Sequence, residues 1–477
     1  MTTGILVAGV ALVLIVAYVM RRPEWRLPAL LFATLAVPGN VDNLMPQMLL
    51  DPHDIANATA PAISFVDLLV VWGLALTIGE RRLAGWPRQA RWFVGATVGL
   101  SVLAIVTIGV NVAEGVEPAA ALRGSLAMLR IPAALTLAIA LRDQVLDGRY
   151  LAIGIVAGTV ALIGNGLYTS TNLEATRFTA ATFGRNGFGL ALVIGALVAT
   201  GLAVHVRRGD GHDTRRRVAS TLSFVVAASA LFGAIATGTR MSLLVAVPTV
   251  AVALVVNRSW WHWRGVAGVG ALAVGVVLIS LAATLWTTEG ARALSGILNP
   301  GGTVDIITDP ESEPDYSPVR TRTRWWNQAL EMAAEDPWTG VGPYQWNIRR
   351  YEVEPDAVPV VADPHNTYIQ LATEYGYPVA IVYSGTLLLL AGSVLVTVWR
   401  RSSPARTSPT AVALAGVALM APVTEFTNSH LFNVRLGVVS WLLLGVAASL
   451  TVVPAVVSAL TAERTAGTAL DAQPRNE

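Results

Sequence analysis

Along this chain apolar residues come in runs of about 17 to 22, separated by short polar connections, and not in the narrow stripes of a soluble amphipathic helix. The runs place membrane spans near 4–20, 27–38, 61–79, 92–112, 121–141, 150–168, 186–205, 218–236, 241–257, 265–286, 376–398, 409–423 and 436–457. The pattern predicts an all-α polytopic membrane protein. The first run lacks a basic leading segment and an A-x-A-like cleavage site, so it is expected to be a retained helix. The polar end, "TAERTAGTALDAQPRNE", has Leu470 as its one large apolar residue and reads as a disordered tail.

Arginines fall in every second connection: Arg21, Arg22 and Arg26; Arg81, Arg82, Arg88 and Arg91; Arg142 and Arg149; Arg207 to Arg217; "NRSWWHWR"; and "WRRSSPARTSP". The positive-inside rule makes those connections cytoplasmic, with the N-terminus outside, the C-terminus inside and about thirteen spans. One outward connection is far longer than the rest and divides the chain. The expected organisation is an N-terminal bundle over 1–286, an extracytoplasmic loop over 287–375, a three-span bundle over 376–457 and a tail over 458–477. The loop begins with the acidic, Gly/Pro-rich "NPGGTVDIITDPESEPDYSP", which is expected to be extended. An amphipathic helix through "VRTRTRWWNQALEMAAEDPW" comes next, then a turn at "TGVGPYQWN", then a second helix from about Asp363.

Composition narrows the chemistry. Of 477 residues 54% are hydrophobic and 13% charged, and cysteine is absent, which removes disulfides and thiolate metal sites. All 33 basic residues are arginine, a bias that a GC-rich genome accounts for. The net charge of +2, with arginines spread among connections, argues against nucleic acid as a partner. There is no P-loop, no GxGxxG in a βαβ setting and no HExxH, so the residues give no sign of a nucleotide cofactor or a metal.

Five constellations on the outward face could carry chemistry. In "DPHNTYIQLATEYG", Asp363 or Asn366 can cap a helix on which Asn366, Gln370 and Glu374 share one face, beside His365. That face could simply meet water. Alternatively, because the helix dipole disfavours an imidazolium at this end, His365 is an imidazole able to take a proton from a sugar hydroxyl. The alternating Arg320, Arg322 and Arg324 suit a diphosphate or balance the acidic stretch before them. In "ATGTRMSLL", Arg240 lies near membrane depth and must face a cavity or snorkel to the interface. "TRFTAATFGRNGFG" offers Arg177, Arg185 and Asn186, and "EFTNSHLFN" offers Glu425, Asn428 and the rival base His430. An outward site without a nucleotide pocket needs an activated donor, for which a lipid-linked diphosphate sugar is the natural candidate.

These residues resemble the O-antigen ligase and polymerase superfamily, integral membrane glycosyltransferases with a GT-C-like helical fold. "HNTYIQLATEYG" is similar to the family's HN-x-Y-x5-E-x-G hallmark, and "RTRWWNQALEMAAEDPWTGVG" to its R-x3-W-x2-AL-x-M and P-x2-G-x-G segment. "GTRMSLL" and "RFTAATFGRNGFGLAL" are similar to two further elements of the family, so the likeness runs from about Arg177 to Gly376. The resemblance implies metal-independent, inverting transfer of a glycan from a polyprenyl-diphosphate carrier to an acceptor hydroxyl, with no cofactor, outside the bacterial cytoplasmic membrane. The acceptor would be a glycan, a glycolipid or a protein. By position His365 would be the base, Arg240 and Arg322 would hold the diphosphate, and Arg324, Arg177, Arg185, Asn366, Tyr368 and Glu374 would support them. The family has twelve spans with both termini inside, one fewer than the runs give here. A flippase for lipid-linked saccharides and a non-catalytic envelope scaffold are the alternatives.

Overall fold

The computed structural model describes residues 2–36, 64–80, 86, 88–141, 149–172, 184–207, 214–237, 318–353, 364–400, 416, 418, 420–426 and 437–449. The expected spans at 241–257 and 265–286 lie outside the described residues, as do Arg177, Arg240, Asn428 and His430. What is described is helical, with no strand element, and the protein is an all-α polytopic membrane protein. The helices are α1 (Thr2–Val19), α2 (Arg26–Ala36), α3 (Phe65–Gly79), α4 (Arg88–Ala113), α5 (Pro118–Ala140), α6 (Arg149–Asn172), α7 (Gly184–Arg207), α8 (Thr214–Ala236), α9 (Pro318–Glu335), α10 (Gln345–Val353), α11 (Thr367–Arg400) and α12 (Gly437–Ser449). Among the described residues five helices, α4, α5, α6, α8 and α11, contain stretches long and apolar enough to cross a bilayer, and α3, α12 and Phe188–Ala203 of α7 are shorter apolar stretches.

Close packing of these apolar cylinders relies on small residues, because lipid tails are as apolar as leucine and burial alone does not drive helices together. On α6, Gly154 and Gly158 form a G-x-x-x-G face against α2. A Cβ on Gly154 would lie 2.4 Å from the Pro28 carbonyl oxygen, and one on Gly158 would lie 2.9 Å from Leu35 Cβ. Further along, Gly195 of α7 admits Thr159 of α6, and Gly445 of α12 admits Ala138 of α5.

Where a backbone group inside the described bundle loses its helical partner, a side chain replaces it, as a low-dielectric interior requires. Pro132, within α5, has no N–H to give the Met128 carbonyl, and Ser101 of α4 donates its hydroxyl to that oxygen instead, at 2.8 Å. Two buried guanidiniums are paired. Arg130 of α5 grips Asp67 through Nε–Oδ1 at 2.7 Å and Nη2–Oδ2 at 2.9 Å. Asp67 in turn closes a capping box with Ser64 at the start of α3. Arg26 holds both oxygens of Glu80, one of them at 2.9 Å, and donates Nε to the Met20 carbonyl at 3.0 Å.

Candidate functional site

The site is built where α9 and the loop after it dock on the first turns of α11. Gly376 takes φ 83° and ψ 163°, which breaks α11, and Pro378 follows it without an N–H. The break leaves two carbonyls without intrahelical donors, those of Thr373 and Glu374. The loop between α9 and α10 supplies the missing donors: Val341 N–H reaches Thr373 O at 2.8 Å and Gly342 N–H reaches Glu374 O at 3.1 Å. In return Tyr377 N–H donates to Pro337 O at 2.9 Å. The fit demands glycine on both sides. At Gly340, with φ 68°, a Cβ would sit 2.5 Å from the Tyr375 amide nitrogen, and at Gly376 it would sit 2.4 Å from the Trp338 carbonyl oxygen. From the bundle, Asn111 at the end of α4 donates Nδ2 to Thr339 O at 3.1 Å, fixing the loop to the membrane domain.

This clasp sets the position of His365. Asn366 caps α11, its Oδ1 accepting the N–H groups of Tyr368 at 3.0 Å and Ile369 at 3.1 Å. The helix therefore starts at Thr367 and not near Asp363, and Pro364 precedes it instead of lying in its first turn. Asn366 was one of two residues chemically able to cap. What selects it is the left-handed backbone of His365, φ 55°, which turns the chain into the helix at a conformation uncommon for a residue with a side chain. His365 is half-buried, with its ring 5.8 Å from that of Trp325. One residue on, the Trp326 indole N–H donates to Pro364 O at 2.8 Å. Two consecutive tryptophans of α9 thus hold the two residues before the α11 cap.

Arg322 precedes Trp325 and Trp326 by one turn of α9 and is half-buried. Arg324 is exposed and lies two residues, or about 200°, further round the helix. The side chains of Arg185 and Arg320 are not described, although Arg185 lies in the first turn of α7.

The polar face, for which contact with water was one of two open readings, is buried: Asn366, Gln370 and Glu374 are fully enclosed, and Gln370 Nε2 donates to Glu374 Oε1 at 3.2 Å. Tyr368 is half-buried and donates its hydroxyl to Pro422 O at 2.7 Å. Thr367 donates its hydroxyl to Glu425, itself buried. Pro422 and Glu425, in a helical stretch before α12, therefore grip the start of α11 at two points. Among the rival group, Glu425 is engaged in positioning.

The sequence reading did not single out α10 and its Arg350. The segment expected only to turn continues into a nine-residue helix, Gln345–Val353. On it Trp346 and Arg350 stand at i and i+4, a legible signal. The buried Arg350 guanidinium lies 5.2 Å from the Trp346 ring and 5.4 Å from the Trp325 ring. It braces the ring that contacts His365.

The arrangement offers an imidazole held by an aromatic frame at the positive end of a helix, with an arginine one turn from that frame. Such a set can move a proton beside an anion. No curated protein matches the chain. A sequence model described as O-antigen ligase matches residues 224–384, a stretch that takes in α9, the clasp, His365 and the break in α11. Over that segment the chain is similar to the O-antigen ligase family.

Proposed function

We propose that this protein transfers a glycan from a polyprenyl-diphosphate carrier to an acceptor hydroxyl at the outer face of the cytoplasmic membrane. The match of residues 224–384 to the O-antigen ligase model supports glycan transfer of the ligase or polymerase type. The observation that carries the finer reading is the fixing of His365 by Trp325 and Trp326, with Arg322 on the same helix one turn away.

In this reading His365 accepts the proton of the acceptor hydroxyl as its oxygen attacks the anomeric carbon. The bond from that carbon to the diphosphate breaks with inversion, and the diphosphate leaves with the bond pair on its lipid carrier. Arg322, together with Arg240, stabilises the charge gathering on the departing diphosphate. Asn366, Tyr368 and Glu374 hold the start of α11 in register, while Arg324, Arg177 and Arg185 contribute positive charge.

The test is a transfer assay on the purified chain in detergent, with a lipid-diphosphate glycan, a panel of envelope acceptors, EDTA present and ATP absent. His365→Gly suits the comparison because glycine adopts the left-handed backbone of this position without strain. Wild type should form covalent product, and the variant should bind donor normally and lose about 10²- to 10⁴-fold in turnover. Equal turnover in both would sink the assignment. A wild type that binds donor but yields no product would favour a flippase.

A further inference from the structure

The first three helices end in a feature that glycan transfer does not use. At the turn between α1 and α2, Tyr18, Val19, Arg21, Arg22 and Trp25 line a cleft of about 550 Å³. Trp25 is anchored edge-on against Tyr150 at the start of α6, with ring centroids 5.1 Å apart, and the Arg21 guanidinium lies 5.8 Å from the Tyr18 ring. Three arginines occupy this turn and have different fates. Arg26 is buried and spends its guanidinium on Glu80 and the Met20 carbonyl. Arg21 and Arg22 are exposed at the cleft and form no ion pair among the described residues, not even with exposed Glu24.

The apolar run of α1 ends in Arg21 and Arg22, which puts the cleft where a membrane–water interface is expected, remote from His365. Glu80, bound to Arg26, ends α3 a few residues before α4 begins. The far end of α4, about 39 Å away along 26 residues, reaches Thr339 of the clasp. A Tyr/Trp pair at headgroup level beside unsatisfied guanidiniums is complementary to one class of molecule abundant there. The aromatic rings and Val19 wall the glycerol and upper acyl region, and the guanidinium forks match phosphate oxygens. We propose that this cleft binds the phosphodiester headgroup of an anionic phospholipid. The proposal is independent of glycan transfer, and turnover does not enter its test.

Native mass spectrometry of the full chain, released from detergent after titration with phosphatidylglycerol or phosphatidylcholine, reads the site directly. Wild type should retain phosphatidylglycerol preferentially. Arg21→Gln/Arg22→Gln should weaken that retention by about ten- to thirty-fold, the effect of two guanidiniums near a headgroup, and leave phosphatidylcholine unchanged. Arg216→Gln/Arg217→Gln, which removes two exposed arginines at the start of α8, should change retention by less than about twofold. Arg21→Lys/Arg22→Lys keeps the charge, removes the forks, and should fall between, which preserves the test if the glutamine pair folds poorly. An equal loss in the α8 pair would reduce the effect to general surface charge and overturn the site. So would an absence of phosphatidylglycerol preference in wild type, or displacement by inorganic phosphate as effective as by the lipid.

Discussion

Two sets of polar groups are buried in this protein, and they are satisfied differently. In the N-terminal bundle each buried guanidinium meets a carboxylate in a two-pronged pair, Arg130 with Asp67 and Arg26 with Glu80. At the start of α11 the buried groups include amides, and these use one end each. Asn366 Oδ1 caps the helix and Gln370 Nε2 reaches Glu374, while Asn366 Nδ2 and Gln370 Oε1 have no hydrogen-bond partner among the described residues. A closed pair holds helices together and has nothing left to offer. Hydrogen-bonding capacity left over within a few residues of His365 is costly to bury, a cost that proteins tolerate chiefly where function needs it. The first set should therefore govern stability and the second activity.

The strongest test of that division is Asp67→Ala. It takes the two-pronged carboxylate partner from the Arg130 guanidinium, which is 8% exposed, and also removes half of the capping box on α3. The expected cost is about 3–5 kcal/mol, read as a lowered denaturation midpoint in detergent, with transfer per folded molecule unchanged. Adding Arg130→Met should restore most of the loss, since a matched apolar side chain leaves no buried charge. Wild-type stability in the single variant would show that the pair is not closed structure, and the contrast would fail.

Gly376→Ala tests the seam between the two sets. The new Cβ would meet the Trp338 carbonyl oxygen at 2.4 Å in a backbone at φ 83°, so about 2–4 kcal/mol is expected from handedness and displacement together. The change should act locally. Hydrogen exchange at the Val341 and Gly342 amides should accelerate well beyond that of α4 or α5, and turnover should fall along with it. Uniform acceleration everywhere would mean that the clasp is part of the bundle and not a separate device for aiming His365.

The long apolar helices were legible because length and composition suffice in a membrane. The run read as 92–112 is α4, 88–113, and that read as 150–168 is α6, 149–172. The helix carrying Trp326 was also legible from its spacing. α10 was not, because the glycines and Pro343 just before it signal a turn, although Trp346 and Arg350 stood one helical turn apart. The start of α11 was open between Asp363 and Asn366, and a left-handed histidine decided it, a conformation uncommon for any residue with a side chain. The burial of Asn366, Gln370 and Glu374 depends on what covers them, and a period along one helix cannot reveal that. Nor could spacing show that the freed carbonyls of Thr373 and Glu374 are what the glycine loop is shaped to meet, although both partners lay in the quoted motifs.

The smallest expected effect separates two neighbouring arginines. Arg322 is half-buried on the turn before the tryptophans that hold Pro364 and His365, whereas Arg324 is exposed further round α9. If Arg322 binds the donor diphosphate, Arg322→Ala should raise the KM for the lipid-linked donor by about ten- to a hundred-fold, as expected for lost hydrogen bonds to a charged group. Its kcat should fall less than in His365→Gly. Arg324→Ala should stay within about twofold in both constants, a solvated charge being screened. Raising the salt concentration should narrow any Arg324 effect and leave most of the Arg322 effect, because a partly enclosed contact is less screened. Equal KM changes in the two variants would mean that α9 contributes only a field, and the division between a structural bundle and a site of individually placed groups would then rest on His365 alone.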